Sequence, residues 1–238
     1  MITSKQKQSS SRILNKAFTL VEMLTVVGII ALLVALVTPA LVDVIRSTRL
    51  NSAGDGLQNR LSLAQQSAVS RSTEVEMRFY KYPDAESDRP GDKIFYAYQV
   101  IEAPNGGLPK PISEVYYLDP GIVMSATLEL SPMLQTTAEQ KPDENNNFLF
   151  VPPSGTGANV EYAALRFYPD GSCKLLNKPD AAAAGTAVGT ALAYTVPPLP
   201  KSYLTLIEDS AIGATTIPNN FYCMQIDAYT GKVRVYRP

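Results

Sequence analysis

Residues 18–42, FTLVEMLTVVGIIALLVALVTPALV, hold a single charged side chain, Glu22. At about 1.5 Å per residue, a helix of this length spans the ~30 Å hydrocarbon core of a bilayer. Lys5, Lys7, Arg12 and Lys16 precede it with no acid, whereas Asp43, Arg46 and Arg49 just beyond it net only +1. This charge bias keeps the N-terminus in the cytoplasm and predicts export of everything beyond about residue 43.

Three simple readings of the segment fall short. A cleaved signal peptide has an apolar core of about 7–15 residues followed by a small-x-small site. This run is longer, carries an acid near its start, and ends in Thr38-Pro39-Ala40, a poor site. A plain membrane anchor leaves Glu22 unexplained, because an acid at mid-bilayer costs about 3 kcal/mol on insertion scales. A buried core helix leaves the basic leader unexplained.

The stretch Lys16-Ala17-Phe18-Thr19-Leu20-Val21-Glu22 resembles the prepilin peptidase and N-methylation motif of type IV pilins and type II secretion pseudopilins. The resemblance implies cleavage of a 1–17 leader between Ala17 and Phe18 by a prepilin peptidase, and methylation of Phe18. It also implies an acid at the fifth mature position, which counted from Phe18 is Glu22. Pro39 falls where many pilins carry a kinking proline. One departure is Ala17, where the family prefers glycine; alanine is the next smallest side chain. On a helix starting at Phe18, Glu22 lies one turn in, near the membrane boundary and the positive helix end. In the assembled filament the resemblance pairs it with a neighbouring subunit's N-terminal ammonium, setting the register of assembly.

Beyond the apolar segment (18–43) an amphipathic half (44–72) is expected. Leu50, Leu57, Leu61, Ala64 and Ala68 recur at helical spacing and should pack on a sheet. Pro39 and Gly54-Asp55-Gly56 read as sites of bending or unwinding. From Thr73 the period becomes 2: Val75, Met77 and Phe79 alternate with Glu74, Glu76 and Arg78. Further strands are expected at 94–101, 112–118, 121–128, 148–151, 161–168, 173–176, 203–207, 221–227 and 232–236. Asp170-Gly171 and Tyr229-Thr230-Gly231-Lys232 read as tight turns, and 131–147 and 177–200 as loops. The expected fold is α+β and type IV pilin-like: a long N-terminal helix packed on an antiparallel β-sheet domain spanning 73–238.

Within the pilin class, 61–68 followed by 73–80 is similar to minor pseudopilins related to the type II secretion H subunit and to FimT-type pilins. Residues 166–172 (RFYPDGS) and 227–238 (DAYTGKVRVYRP) resemble the Verru_Chthon cassette protein D family of prepilin-like proteins.

Histidine is absent and only Cys173 and Cys223 are present, which removes Ser-His-Asp, Cys-His and His-zinc constellations. No carboxylate pair, cofactor motif or metal-ligand spacing stands out. The resemblance therefore implies a structural subunit and not an enzyme. Its partners would be the prepilin peptidase, other pilin or pseudopilin subunits, an inner-membrane assembly platform and membrane lipid. The expected location is the inner membrane, with the C-terminal domain in the periplasm, and then a filament.

A second reading is a DNA- or ligand-binding pilin. Gly231-Lys232-Val233-Arg234, with Arg237 beyond, is similar to the Gly-Arg-x-Arg motif of DNA-uptake minor pilins. Lys232, Arg234 and Tyr236 on one strand face would suit phosphate contact and base stacking. Against it, removing the four leader cations from the 21 Lys+Arg leaves 17 against 22 Asp+Glu, a net −5 after residue 17. A solvated, aggregation-resistant edge strand explains the same charges. Cys173 and Cys223 suit either a disulfide in an oxidising compartment or two buried thiols.

Overall fold

The computed structural model describes residues 19–83, 91–103, 109–143, 145–153, 155, 158, 160–177, 193–214 and 216–238, without the side chains of Pro39, Ala40, Val42 and Asp43. Ala17 and Phe18 lie outside the described residues. Two compact units are present, one ending at Val44 and the other Ile45–Pro238. Helix α1 runs Leu20–Arg71, and its backbone stays helical through Pro39 and through Gly54-Asp55-Gly56.

In the first unit, Leu20–Thr38 has a mean hydropathy of 2.8 and is long and apolar enough to cross a membrane. Its leucines, valines and isoleucines are exposed, so this unit offers them no partners of its own. The two threonine hydroxyls do not stay open. Thr25 donates to the Val21 carbonyl at 2.8 Å and Thr38 to the Val34 carbonyl at 2.7 Å. Such back-bonding satisfies a hydroxyl inside its own helix, which an apolar surrounding requires.

The second unit is an antiparallel sheet packed on the later part of α1. Its strands are β1 Val75–Pro83, β2 Lys93–Glu102, β3 Lys110–Pro111, β4 Tyr116–Tyr117, β5 Ile122–Met124 and β6 Ala138–Glu139. Then follow β7 Glu161–Phe167, β8 Cys173–Asn177, β9 Ala193–Thr195, β10 Tyr203–Glu208, β11 Tyr222–Ile226 and β12 Val233–Tyr236. The order across the sheet is β12-β11-β10-β5-β2-β1-β7-β8-β9, with β3 and β4 on β2 and β6 on β7. The expected strand at 148–151 does not form; Phe150 instead buries its ring against Tyr80 at 4.3 Å. The expected loops 131–147 and 177–200 contribute the short strands β6 and β9.

The helical stripe does what its spacing implies. Leu57, Leu61, Ala64 and Ala68 are fully buried and Leu50 nearly so, facing Val75, Met77 and Phe79 from β1 and Leu204, Leu206, Met224 and Ile226 from the other flank. The sheet curls until its flanks meet: the Cys173 amide at the start of β8 donates to the Ala228 carbonyl just after β11, at 2.7 Å. Gln65 on α1 ties the same seam, its amide donating to the carbonyls of Gly171 and Thr230. Both seam turns need a left-handed glycine, Gly171 at φ +85° and Gly231 at φ +63°. At Gly231 a Cβ would also lie 2.7 Å from the Gly171 carbonyl, so two backbones close on each other there.

Gly54 serves packing and not unwinding. A Cβ there would stand 2.4 Å from the Tyr222 ring, whose hydroxyl donates to Asp55 at 2.7 Å. The helix ends at Ser72, a non-glycine at φ +52°. The Ser72 amide bonds back to Val69 and the Thr73 amide to Ala68, the paired hydrogen bonds of a Schellman stop.

Gly54→Ala tests the close approach. In an exposed helix this change gains up to about 1 kcal/mol, but here overpacking should reverse the sign, with a net loss of about 1–3 kcal/mol. Urea unfolding of the full chain in detergent is the measurement; unchanged or raised stability would show that Tyr222 yields without cost.

Candidate functional site

The start of α1 is closed by two side chains. The Thr19 hydroxyl accepts from the Glu22 amide at 3.2 Å, and the Glu22 carboxylate accepts from the Thr19 amide at 3.4 Å. With Leu20 as the first helical residue, this is a capping box: Thr19 at the N-cap, Glu22 three positions into the helix. The signature Thr-x-x-Glu is plain in the sequence, where the acid is read by its place near the positive helix end and by assembly. Glu22 is exposed, so nothing in its own unit removes it from an intersubunit role.

The C-terminal basic residues separate. Arg234 and Tyr236 are exposed on one face of β12, the edge strand, with exposed Lys232 just before it, while Val233 and Val235 pack toward the core. Tyr236 donates to Gln225 on β11 at 3.2 Å. Arg237 leaves this group, its Nη1 lying 3.4 Å from Asn51 Oδ1 on α1.

The two cysteines do not pair; both are free thiols. The reason is alternation along the strands. Cys173 sits in the core with Phe167 and Leu175, whereas Cys223 lies between Tyr222 and Met224, both core residues, and so takes the opposite face of the sheet. Burial pushes the Cys173 thiol up to about 12, with the Asp227 charge adding to the shift. Burial also raises Cys223, against a lowering hydrogen bond with Thr205.

A site absent from the sequence expectations lies on the outer face of the sheet. Glu76 and Arg78, the polar partners in the alternation along β1, are 1% and 7% exposed. Glu76 accepts from Arg78 Nε, from Arg166 Nη2 at 3.0 Å, and from the Tyr194 hydroxyl at 2.6 Å. Arg166 Nη1 reaches Glu74 at 2.8 Å. Aromatic faces complete the enclosure, with Tyr194 3.9 Å from the Arg166 guanidinium and Tyr162 4.2 Å from that of Arg78. Two acids and two arginines make the group neutral, as a buried cluster must nearly be. Period 2 distinguishes the two faces of β1 but not whether the outer one is covered; Tyr162 and Tyr194 do that covering from far along the chain.

Among the described residues no group of three or more Cys, Asp or Glu side chains is placed to hold a metal ion.

No family model matches the chain, and no curated protein does. Two solved structures are similar. One is the minor pseudopilin EpsH from the type 2 secretion system of Vibrio cholerae, 8% identical over 80% of this chain and 98% of that one, with a TM-score of 0.38. The other is the type IV minor pilin FimU of Pseudomonas aeruginosa, 10% identical over 80% of this chain and 93% of that one, with a TM-score of 0.37. With scores this low, what the protein does has to be read from its own residues.

Two measurements check these sites. In the native fold a thiol reagent should label Cys223 and spare Cys173; after denaturation without reductant it should label both. Failure to label either in the denatured chain would reinstate the bridge. For the outer cluster, burial alone would raise the Glu76 carboxyl, but Arg78, the Tyr194 hydrogen bond and Arg166 together hold it below the usual carboxylate value. A depressed carboxylate contributes stability above its unfolded pKa, which is lost as pH falls through the folded one. Glu76→Gln should therefore cost about 3–5 kcal/mol near neutrality, because it strands buried cations. It should also flatten the acid limb of a stability-versus-pH curve.

Proposed function

We infer that this chain is the precursor of a minor pilin or pseudopilin, a structural subunit of a type II secretion or type IV pilus-like filament. The observation that carries this reading is the run Lys16 to Glu22, KAFTLVE, set between a basic leader and an uninterrupted apolar helix. In this reading a prepilin peptidase cuts between Ala17 and Phe18 and Phe18 is N-methylated. The helix holds the protein in the inner membrane, N-terminus cytoplasmic and sheet domain periplasmic, until an assembly platform passes it to other subunits. The exposed apolar side chains of Leu20–Thr38 then exchange lipid for the helices of neighbouring subunits, a swap that keeps them out of water throughout.

Glu22 has two tasks here. It caps its own helix with Thr19, and after cleavage it stands four residues from a new ammonium, where it can pair with that of a neighbour. Pairing in a poorly hydrated filament core stabilises one register, since an unpaired charge there costs several kcal/mol.

A DNA-binding variant of this role draws on the exposed Lys232 and on the Arg234 and Tyr236 face of β12. Gel shift with the detergent-solubilised full chain would then show retardation of DNA that salt abolishes. A structural subunit alone shows none.

Two outcomes are expected in cells that carry the matching filament system. Intact-mass analysis of the membrane-extracted protein should give a chain beginning at N-methylated Phe18; a start near Ala40 or Leu41 would sink the pilin reading. Glu22→Val should be inserted and cleaved yet missing from sheared filaments. Glu22→Gln separates the two tasks, because glutamine still closes a capping box without charge. Filaments containing Glu22→Gln at wild-type levels would show that capping, and not charge pairing, is what assembly needs.

A further inference from the structure

Arg78 faces a cavity that neither the helix nor the basic strand uses. A cleft of about 490 Å³ opens between the outer face of β1, β6 and β7 and residues 141–143 and 147–149, with Arg78, Tyr162, Ala138, Lys141, Phe148 and Leu149 among its lining. That volume falls within the ~300–1,000 Å³ of small-molecule sites, which are mostly apolar with a few fixed polar groups. Arg78 is such a group. It is 7% exposed, its Nε is committed to Glu76, and its plane is packed on Tyr162. Among the described residues its two terminal nitrogens donate no hydrogen bond. A buried guanidinium with an unoccupied fork on a cavity matches a carboxylate, whose two oxygens accept both donors in parallel.

Among the described residues the acids nearby do not fill that role. Glu76 is taken up by Arg78 Nε, Arg166 and Tyr194. Asp143 turns back on its own loop, accepting from the amides of Asn145 at 2.9 Å and Asn147 at 2.7 Å. Glu139 is exposed to solvent and, with the exposed Lys141, is among the lining.

We propose that this cavity binds a small organic carboxylate with a branched apolar body, its carboxylate on Arg78 and its body against Phe148, Leu149 and the Tyr162 ring. Such a group occurs in a free acyl amino acid and in the C-terminal residue of a polypeptide. The site is independent of the filament reading and stands whether or not that reading holds.

The test is calorimetric titration of the full chain in detergent with N-acetyl-L-leucine, and with its uncharged twin N-acetyl-L-leucinamide. Empty micelles supply the blank. The acid should bind at least about tenfold more tightly than the amide, the worth of a charged hydrogen bond. Arg78→Met should abolish that difference but also strands Glu76, so the decisive variant is Leu149→Trp. It fills the half-buried rim and leaves the charge cluster whole. Loss of binding in Leu149→Trp at an unchanged unfolding midpoint supports the site. Binding that ignores Leu149→Trp, equal binding of acid and amide, or no binding overturns it. Acetyl-Ala-Ala-Leu with a free carboxyl separates the sources: tighter binding than acetyl-leucine assigns a polypeptide C-terminus, weaker binding a free acid, and either supports the cavity.

Discussion

Burial of one narrow helical face by a sheet that curls almost shut is the constraint on which the sheet domain depends. Leu57, Leu61, Ala64 and Ala68 reach full burial only because strands approach them from both flanks. Curling that tightly brings β8 and the end of β11 within hydrogen-bonding distance, which Cys173 and Ala228 exploit. The small residues follow from the same geometry. Alanine at 64 and 68 lets backbones come close, and Gly54 leaves room for a tyrosine ring directly on the helix. Gly171 and Gly231 take the left-handed turns at which the two flanks pass each other.

Helical periodicity was sufficient to find the buried stripe, and alternation to find β1 and its inner face, because both patterns are local and strong. The burial of Glu76 and Arg78 was not legible in that alternation, for a physical reason. Whether a sheet's second face meets water depends on what lies over it, and here the cover comes from Phe150, Tyr162 and Tyr194, in or beside stretches without periodicity. The same blindness hid the strands β6 and β9, each too short to carry a pattern. Gly54 illustrates another limit: a glycine inside a helical run signals either a break or a close neighbour, and only the Tyr222 ring decides between them. At the helix start the opposite happened. Thr19-x-x-Glu22 is a complete local signature, and its capping role was legible but overlooked beside the more conspicuous charge.

The outer cluster and the helix start solve related problems with different means. Both place a carboxylate where an isolated charge is unfavourable. Glu76 is compensated permanently, by two guanidiniums and a phenol within its own domain. Among the described residues the Glu22 carboxylate accepts only from the Thr19 amide, an arrangement that a stronger partner could displace. Permanence suits a rigid core, whereas the exposed Glu22 carboxylate stays open to exchange its partner.

The seam at Gln65 links positions 165 residues apart, since its amide reaches the Thr230 carbonyl. A contact of such sequence separation forms late, because the long intervening chain must already be ordered for closure to be favourable. Thr230 and the Gly231 turn come just before β12. Until that turn is in place, the sheet stays open and the helix face beneath it uncovered. Loss of β12 and the turn before it would therefore leave the long helix without its clasp.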